Sequence, residues 1–464
     1  MSAPGAAVPA IRHPLVRNSL VTMAGTVVSA GLGYLYWMAV ARLAPPAQVG
    51  YLSGRMSLVT GLALFTNLGV CGFVVERLPP LEGRRAWARL LKRTIWPTSM
   101  LSFTVTAVVV TALPAPGPDA HGPLAVLVAA GAALGLTFVN ILTVVFVSAR
   151  RAELSLVLGG VLGLAKLATL LGGLLLGAGP AGLLRSWALA VLAACAVGGL
   201  VLLPRAQLGR LGGPTVRRWS PADLRCVLGH HLTSVGGLMV PYLLPTLVVY
   251  RLDATDNAYF YATWMFGSVF FMISPSVESS LFVEGVRDAG SLGDSTRRAF
   301  RLLALLLPVP VLAGVLGGRY GMLLFGPDYA RHGYVLLAVL AVAALPDAVT
   351  NVGSGVLRAT GQLRASSVLN VTMGAVTLGG AWILLPPLGI TGAGVAWLAA
   401  QSLGAVAVAP FLLRVSAARS GPGRHGVPAV DHPAPAPGHQ PERRPRGDDV
   451  GVHGVHVGQG DAPG

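Results

Sequence analysis

Long apolar runs separated by short polar turns set the pattern of this chain. They cover residues 19–41, 49–75, 95–113, 123–149, 154–178, 182–203, 227–250, 257–283, 299–317, 333–357, 365–385 and 390–413. A bilayer hydrocarbon core of about 30 Å takes about 20 apolar residues at 1.5 Å rise per residue. The pattern therefore predicts an all-α integral membrane protein of about twelve transmembrane helices. Two kinds of turn punctuate the runs: basic ones such as Arg358 to Arg364, and Gly/Pro ones such as Pro386 to Gly392.

The runs repeat. Helices 4 to 6 read apolar run, Ala149-Arg-Arg-Ala-Glu-Leu154, apolar run, Gly179-Pro-Ala-Gly182, apolar run. Helices 10 to 12 read apolar run, Arg358-Ala-Thr-Gly-Gln-Leu363, apolar run, Gly389-Ile-Thr-Gly392, apolar run. Val74-Val75-Glu76 and Phe282-Val283-Glu284 match in the same way. Both halves hold six spans and start on the same side, so the repeat is parallel, about an axis along the membrane normal. Repeats of this kind place a substrate site at their interface. The expected organisation is a cytoplasmic N-terminus at 1–18 and an N-lobe of helices 1–6 at 19–203. A basic cytoplasmic linker at 204–226, a C-lobe of helices 7–12 at 227–414 and a disordered cytoplasmic tail at 415–464 complete it.

Charge orients the pattern. The chain has 464 residues, 53% hydrophobic and 11% charged, against about 25% charged in ordinary soluble domains. Its net charge of +16 is spread between the runs and forms no single patch, which argues against nucleic acid. With the N-terminus inside, the segments 77–93, 150–151, 205–225, 287–301 and 358–364 fall on the cytoplasmic side. Segments 114–122, 179–181 and 386–389 hold no Lys or Arg and fall outside. Such a bias fixes orientation, with both termini cytoplasmic. The tail is rich in Pro, Gly, Arg and His and lacks apolar periodicity, so it cannot offset its ordering entropy. Three cysteines make neither a disulfide framework nor a metal cluster, and no nucleotide-binding loop or zinc motif occurs.

Intramembrane polar residues are the candidate site. A Lys, Arg or Asp at the centre of a span costs about 2.5–3.5 kcal/mol on insertion scales, so it faces a cavity or a partner. The N-terminal half holds Arg55 and Lys166; the C-terminal half holds Glu278 and Asp347. Arg55 and Lys166, with Asn67 and Asn140, are the expected substrate-binding residues. Snorkelling of Arg55 and an ion pair of Lys166 with Glu278 or Asp347 are the alternatives. Asp347 follows Pro346, whose ring kinks a helix, and shares a face with Asn351 four residues on. Glu278, Asp347 and Asn351 are the expected coupling or gating residues, with local repair of a kink as the alternative.

Four stretches carry a family resemblance: FGPDYA at 325–330, the polar helix centre with Asp347 and Asn351, VLRATGQ at 356–362, and LLPPLGITGAGVAW at 384–397. The stretch ARLAPPAQVGYLSGRMSLVTGLALFTNLGV at 41–70 adds to them. Together they resemble the polysaccharide-export (Wzx-type) branch of the multidrug/oligosaccharidyl-lipid/polysaccharide (MOP) flippase superfamily. The resemblance implies two six-helix lobes in a MATE/MurJ-like arrangement. It also implies a flippase that moves an undecaprenyl-diphosphate-linked oligosaccharide across the bacterial cytoplasmic (inner) membrane by alternating access, in polysaccharide biosynthesis. Its partners would be the polyprenyl-diphosphate-linked glycan, the lipid bilayer and other polysaccharide assembly proteins, with no nucleic acid. No cofactor is expected, and proton or sodium coupling stays open. An ion-coupled multidrug exporter is the alternative. The outer loops are too short to carry a catalytic apparatus, so an enzyme is not expected.

Overall fold

The computed structural model describes residues 14–78, 84–113, 122–177, 179–207, 221–287 and 289–417. These residues are almost wholly helical, with no strand among them. In chain order the helices are α1 (Pro14–Leu43), α2 (Pro46–Arg77), α3 (Arg84–Ala112), α4 (Pro123–Ser148), α5 (Ala152–Leu175), α6 (Pro180–Ala196) and α7 (Leu203–Gln207). The second half holds α8 (Pro221–Arg251), α9 (Ala254–Gly267), α10 (Ile273–Arg287), α11 (Leu292–Leu306), α12 (Pro308–Met322), α13 (Pro327–Ala359), α14 (Leu363–Leu388) and α15 (Thr391–Ala417).

The fifteen helices join into twelve longer helical segments. A π-helical stretch, Val197–Leu202, joins α6 to α7. A single 3-10 turn, Ser268–Phe271, separates α9 from α10. Leu307 alone separates α11 from α12, with Pro308 at the first position of the next helix. By length and composition, ten spans are apolar enough to cross a membrane, and α2 makes eleven when its 45° bend between Asn67 and Gly69 is taken as one span.

Helix ends follow local chemistry. Pro46, Pro123, Pro180, Pro308 and Pro327 each open a helix, where a missing N–H removes nothing and the fixed φ suits the turn. After α13, Gly361 takes φ +76, a value costly for any residue with a Cβ, and lets the chain reverse within the basic turn. Several helices start earlier than the apolar pattern indicates, among them α3 at Arg84, α1 at Pro14 inside the expected 1–18 terminus, and α8 at Pro221 inside the expected 204–226 linker. The apolar pattern registers membrane depth, whereas a helix continues into the headgroup region for as long as its backbone bonds permit. The rest of that linker, 208–220, and the tail from 418 lie outside the described residues.

Packing repeats between the halves. α1 lies on α5 as α8 lies on α14; α5 lies on α6 as α14 lies on α15. α4 gathers α2, α3 and α6 as α13 gathers α10, α12 and α15. The duplicated turn order of the sequence thus becomes two lobes of like architecture. The end at which α1 begins and α2 ends carries the basic turns, and is called the basic end below.

Candidate functional site

The two lobes meet along two seams. At the first, α2 runs antiparallel to α8 and meets the start of α9 at its N-terminal end. Glycine permits this approach: a Cβ on Gly50 would fall 1.5 Å from the Ala254 carbonyl oxygen, and one on Gly69 would fall 2.1 Å from the Val227 carbonyl oxygen. Gly54 and Gly61 face Val249 and Tyr242 between these points. Asn257, fully buried on α9, donates to the Gly50 carbonyl at 2.7 Å and to Ser53 Oγ at 3.0 Å.

The second seam lies between α1 and α9–α10. Here Tyr34 donates to the Met265 carbonyl at 2.8 Å, and Trp37 packs on Tyr261 with ring centroids 4.5 Å apart. Arg42 donates to the carbonyls of Leu323 and Leu324 at 2.7 and 3.0 Å. All three contacts lie in the C-terminal half of α1. Nearer the basic end, Met23, Val27 and Val28 on α1 are exposed. On α10, Ser276, Ser279, Ser280 and Glu284 are exposed, and Ser276, Ser280 and Glu284 line a recess with Ser295, Arg298 and Leu302 of α11. Each of the α10 serines returns its hydroxyl to a carbonyl four residues back.

The N-lobe residues singled out above occupy separate places. Arg55 is buried on α2, its guanidinium 5.9 Å from the Tyr51 ring centre, in a small recess shared with Leu58 and with Thr246, Val249 and Tyr250 of α8. Asn67 is buried at the α2 bend; its Oδ1 accepts from the Cys71 thiol at 3.8 Å, while its Nδ2 has no partner among the described residues. Asn140 is half-buried on α4.

Lys166 is half-buried midway along α5. Gly159 and Gly163 of the same helix abut Ser29 and Leu32 of α1, so Lys166, three residues beyond Gly163, lies towards the α1 side. Neither Glu278 nor Asp347 pairs with it, since both carboxylates are engaged within the C-lobe. Among the described residues its ammonium has neither an ion-pair nor a hydrogen-bond partner.

The C-lobe residues, by contrast, form one network. Asp347 is buried and its Oδ2 accepts from Ser274 Oγ at 2.6 Å and from Asn351 Nδ2 at 3.0 Å. Asn351 also donates to the Asp347 carbonyl at 2.9 Å, which occupies backbone near the Pro346 kink. Glu278 pairs with Arg358 at 2.7 Å, with the Glu278 side chain 12% exposed. Thr350 donates to Gln401 Oε1 at 2.8 Å, and Ser354 and Ser366 hydroxyls lie 2.8 Å apart. These bonds tie α10, α14 and α15 to α13. Ser274 and Asp347 sit where α10 begins, so the carboxylate also meets the positive end of that half-helix.

Arg358 reads in the sequence as a loop charge that sets topology, and Gln401 carries no signal there at all. The Gly404 contact with Thr350 shows why Gln401 is placed as it is, since it brings α15 close to α13 at that depth.

No family model and no curated protein matches the chain. Solved structures do. An inward-facing multidrug resistance MATE family transporter of the MOP superfamily superposes with a TM-score of 0.66 at 15% identity, covering 86% of this chain and 98% of that one. A MOP superfamily transporter from Pyrococcus furiosus, described by the reverse polarity of its binding pocket, gives 0.57 at 16% identity, covering 87% and 96%. An outward-facing MATE transporter gives 0.56 at 16%, with the same coverage. At such identities the likeness is one of fold: this is a multi-pass helical protein built on the architecture of MOP superfamily transporters.

Proposed function

We propose that the protein is a flippase for a polyprenyl-diphosphate-linked oligosaccharide, working by alternating access in the bacterial cytoplasmic membrane with both termini in the cytoplasm. The observation that carries this reading is Lys166, an unpaired cation halfway along a span. Unless it serves a ligand, such a group is a standing cost of about 2.5–3.5 kcal/mol. A diphosphate supplies the charge it lacks.

The second seam supports the same reading. Its basic-end half leaves Met23, Val27 and Val28 of α1 exposed, so a headgroup can enter from the side while its prenyl chain remains in lipid. Arg55 lies at the other seam, towards the opposite end, and fits an anion arriving there after transfer better than one binding beside Lys166. Asn67, with its free amide N–H, and half-buried Asn140 offer hydrogen bonds for sugars.

The Asp347 network suits coupling. A carboxylate that bridges α10 and α13 changes their attachment when it takes up a proton or meets a sodium ion. An ion-coupled exporter of drugs is the second reading, favoured by the multidrug transporters among the similar folds. Reconstitution separates the two. Proteoliposomes given a fluorescent prenyl-diphosphate glycan, or a fluorescent organic cation, are scored for transfer with and without an ion gradient. Glycan transfer that Lys166→Ala abolishes while leaving the amount of protein unchanged supports the flippase. Cation efflux without glycan transfer overturns it.

A further inference from the structure

The C-lobe carries a polar recess that neither seam uses. It lies between α10 and α11, measures about 710 Å³, and has no N-lobe residue among the described residues that line it. The two helices run antiparallel across the 3-10 turn Ala289–Ser291. Glu284, Ser295 and Arg298 therefore lie near the turn, at the basic end. Ser280 and Ser276 follow inwards, and Ile273, Leu302 and Leu306 line the far part.

This gradient matches one leaflet of a bilayer. From Glu284 to Ile273, α10 rises about 16 Å at 1.5 Å per residue, close to half of a bilayer core of about 30 Å. On α11 the exposed residues Leu302, Leu305 and Leu306 continue along α12 as Val309, Leu312 and Leu316. Such an exposed apolar stripe at helical spacing meets acyl chains.

The serines of α10 have spent their protons. Ser276 donates to the Met272 carbonyl at 3.1 Å and Ser280 to the Ser276 carbonyl at 3.0 Å, so towards a ligand each can only accept. Arg298 donates through Nη2 to Glu284 Oε1 and to Ser295 Oγ, both at 3.0 Å. The second Glu284 oxygen and Arg298 Nη1 make no bond among the described residues, and both side chains are about half exposed. The mouth thus holds both signs side by side. A purely anionic headgroup would lie against Glu284, and a purely cationic one against Arg298. A zwitterion answers both. Its cationic end must carry protons: a primary ammonium has three to give to carboxylate and serine oxygens, whereas a trimethylammonium has none.

We propose that the recess binds one phospholipid with a phosphoethanolamine headgroup, drawn from the leaflet at the basic end. Its phosphate sits on Arg298, its ammonium on Glu284 and Ser280, and one acyl chain along Ile273, Leu302 and Leu306. This lipid is a resident partner of the C-lobe and not the cargo, so the inference stands apart from the choice between flippase and drug exporter.

The test takes the full chain in detergent. It is incubated with an equimolar mixture of dioleoyl phosphatidylethanolamine, phosphatidylcholine and phosphatidylglycerol, and weighed by native mass spectrometry. One phosphatidylethanolamine is expected to bind about tenfold more tightly than either competitor, as charge-assisted hydrogen bonds to its ammonium would give. Glu284→Gln should remove most of that preference. Ser280→Leu fills the recess from an exposed position without touching the Glu284–Arg298 pair, and should release the lipid. Ser279→Leu, exposed on the same helix but outside the recess, should retain it. Melting temperatures measured alongside show that each variant is folded. Equal binding of the three lipids overturns the proposal, as does a preference for phosphatidylglycerol. So does a phosphatidylethanolamine that survives Ser280→Leu, or one that Ser279→Leu removes as fully.

Discussion

The two lobes treat polar groups inside the membrane in opposite ways. In the C-lobe the carboxylates and Gln401 are answered: Asp347 by Ser274 and Asn351, Glu278 by Arg358, Gln401 by Thr350. In the N-lobe, among the described residues, Lys166 makes no ion pair or hydrogen bond and the Asn67 amide nitrogen has no partner. A satisfied network in a low-dielectric interior holds helices together, whereas an unsatisfied group there destabilises the protein and is retained for what it binds. The lobes share an architecture, so the difference lies in the residues placed on it and not in the fold.

Four substitutions test this contrast, from the largest effect down. Lys166→Met removes the unpaired cation. Transport of the prenyl-diphosphate glycan is expected to vanish, while stability in detergent rises by up to about 2–3 kcal/mol, read as a higher melting temperature. A fall in stability instead would show that Lys166 has a structural partner and would dissolve the contrast. In the C-lobe Arg358→Ala is expected to lower stability by about 3 kcal/mol, at the low end for breaking a buried pair because Arg358 is itself 37% exposed. Pairing it with Glu278→Gln should restore most of the loss, since no charge is then stranded; no recovery would mean that the arginine acts through packing alone.

Asp347→Ala should cost about 1–3 kcal/mol by leaving Ser274 and Asn351 without their acceptor. Asp347→Asn should keep stability within about 1 kcal/mol while removing any dependence of transport on an ion gradient. If Asp347→Asn transports with unchanged coupling, the network is structural only. The smallest effects come from the amides. Gln401→Leu should destabilise by about 1 kcal/mol through Thr350. Asn140→Leu, which breaks no hydrogen bond, should leave the melting temperature unchanged but weaken glycan binding if Asn140 meets sugar.

The apolar runs and the basic turns between them were enough to read the architecture. The all-helical membrane architecture, with ten or eleven helices apolar enough to cross where twelve were expected, and the start of five helices at prolines follow from local rules, because a membrane span must satisfy its own backbone. The break at Ser268–Phe271 has a local signal in Ser274-Pro275-Ser276, because Pro275 has no N–H for the Phe271 carbonyl and its ring crowds that carbonyl. The early starts of α1 and α8 escaped because helix formation does not stop where hydropathy does.

For the site, the sequence by itself determined which residues are costly to bury: Arg55, Lys166, Glu278 and Asp347 stand out because charge is rare in these runs. Tertiary structure alone decided which of them are answered. Arg358 lies 80 residues from Glu278 and Gln401 lies 51 from Thr350, so each pairing depends on which helices become neighbours and at what depth they cross. It also decided that Arg55 and Lys166, alike in charge and in the same half of the chain, lie apart, Arg55 against α8 and Lys166 on α5 towards α1. A side chain's chemistry is set by its own atoms, but its partner is set by the packing of the whole bundle.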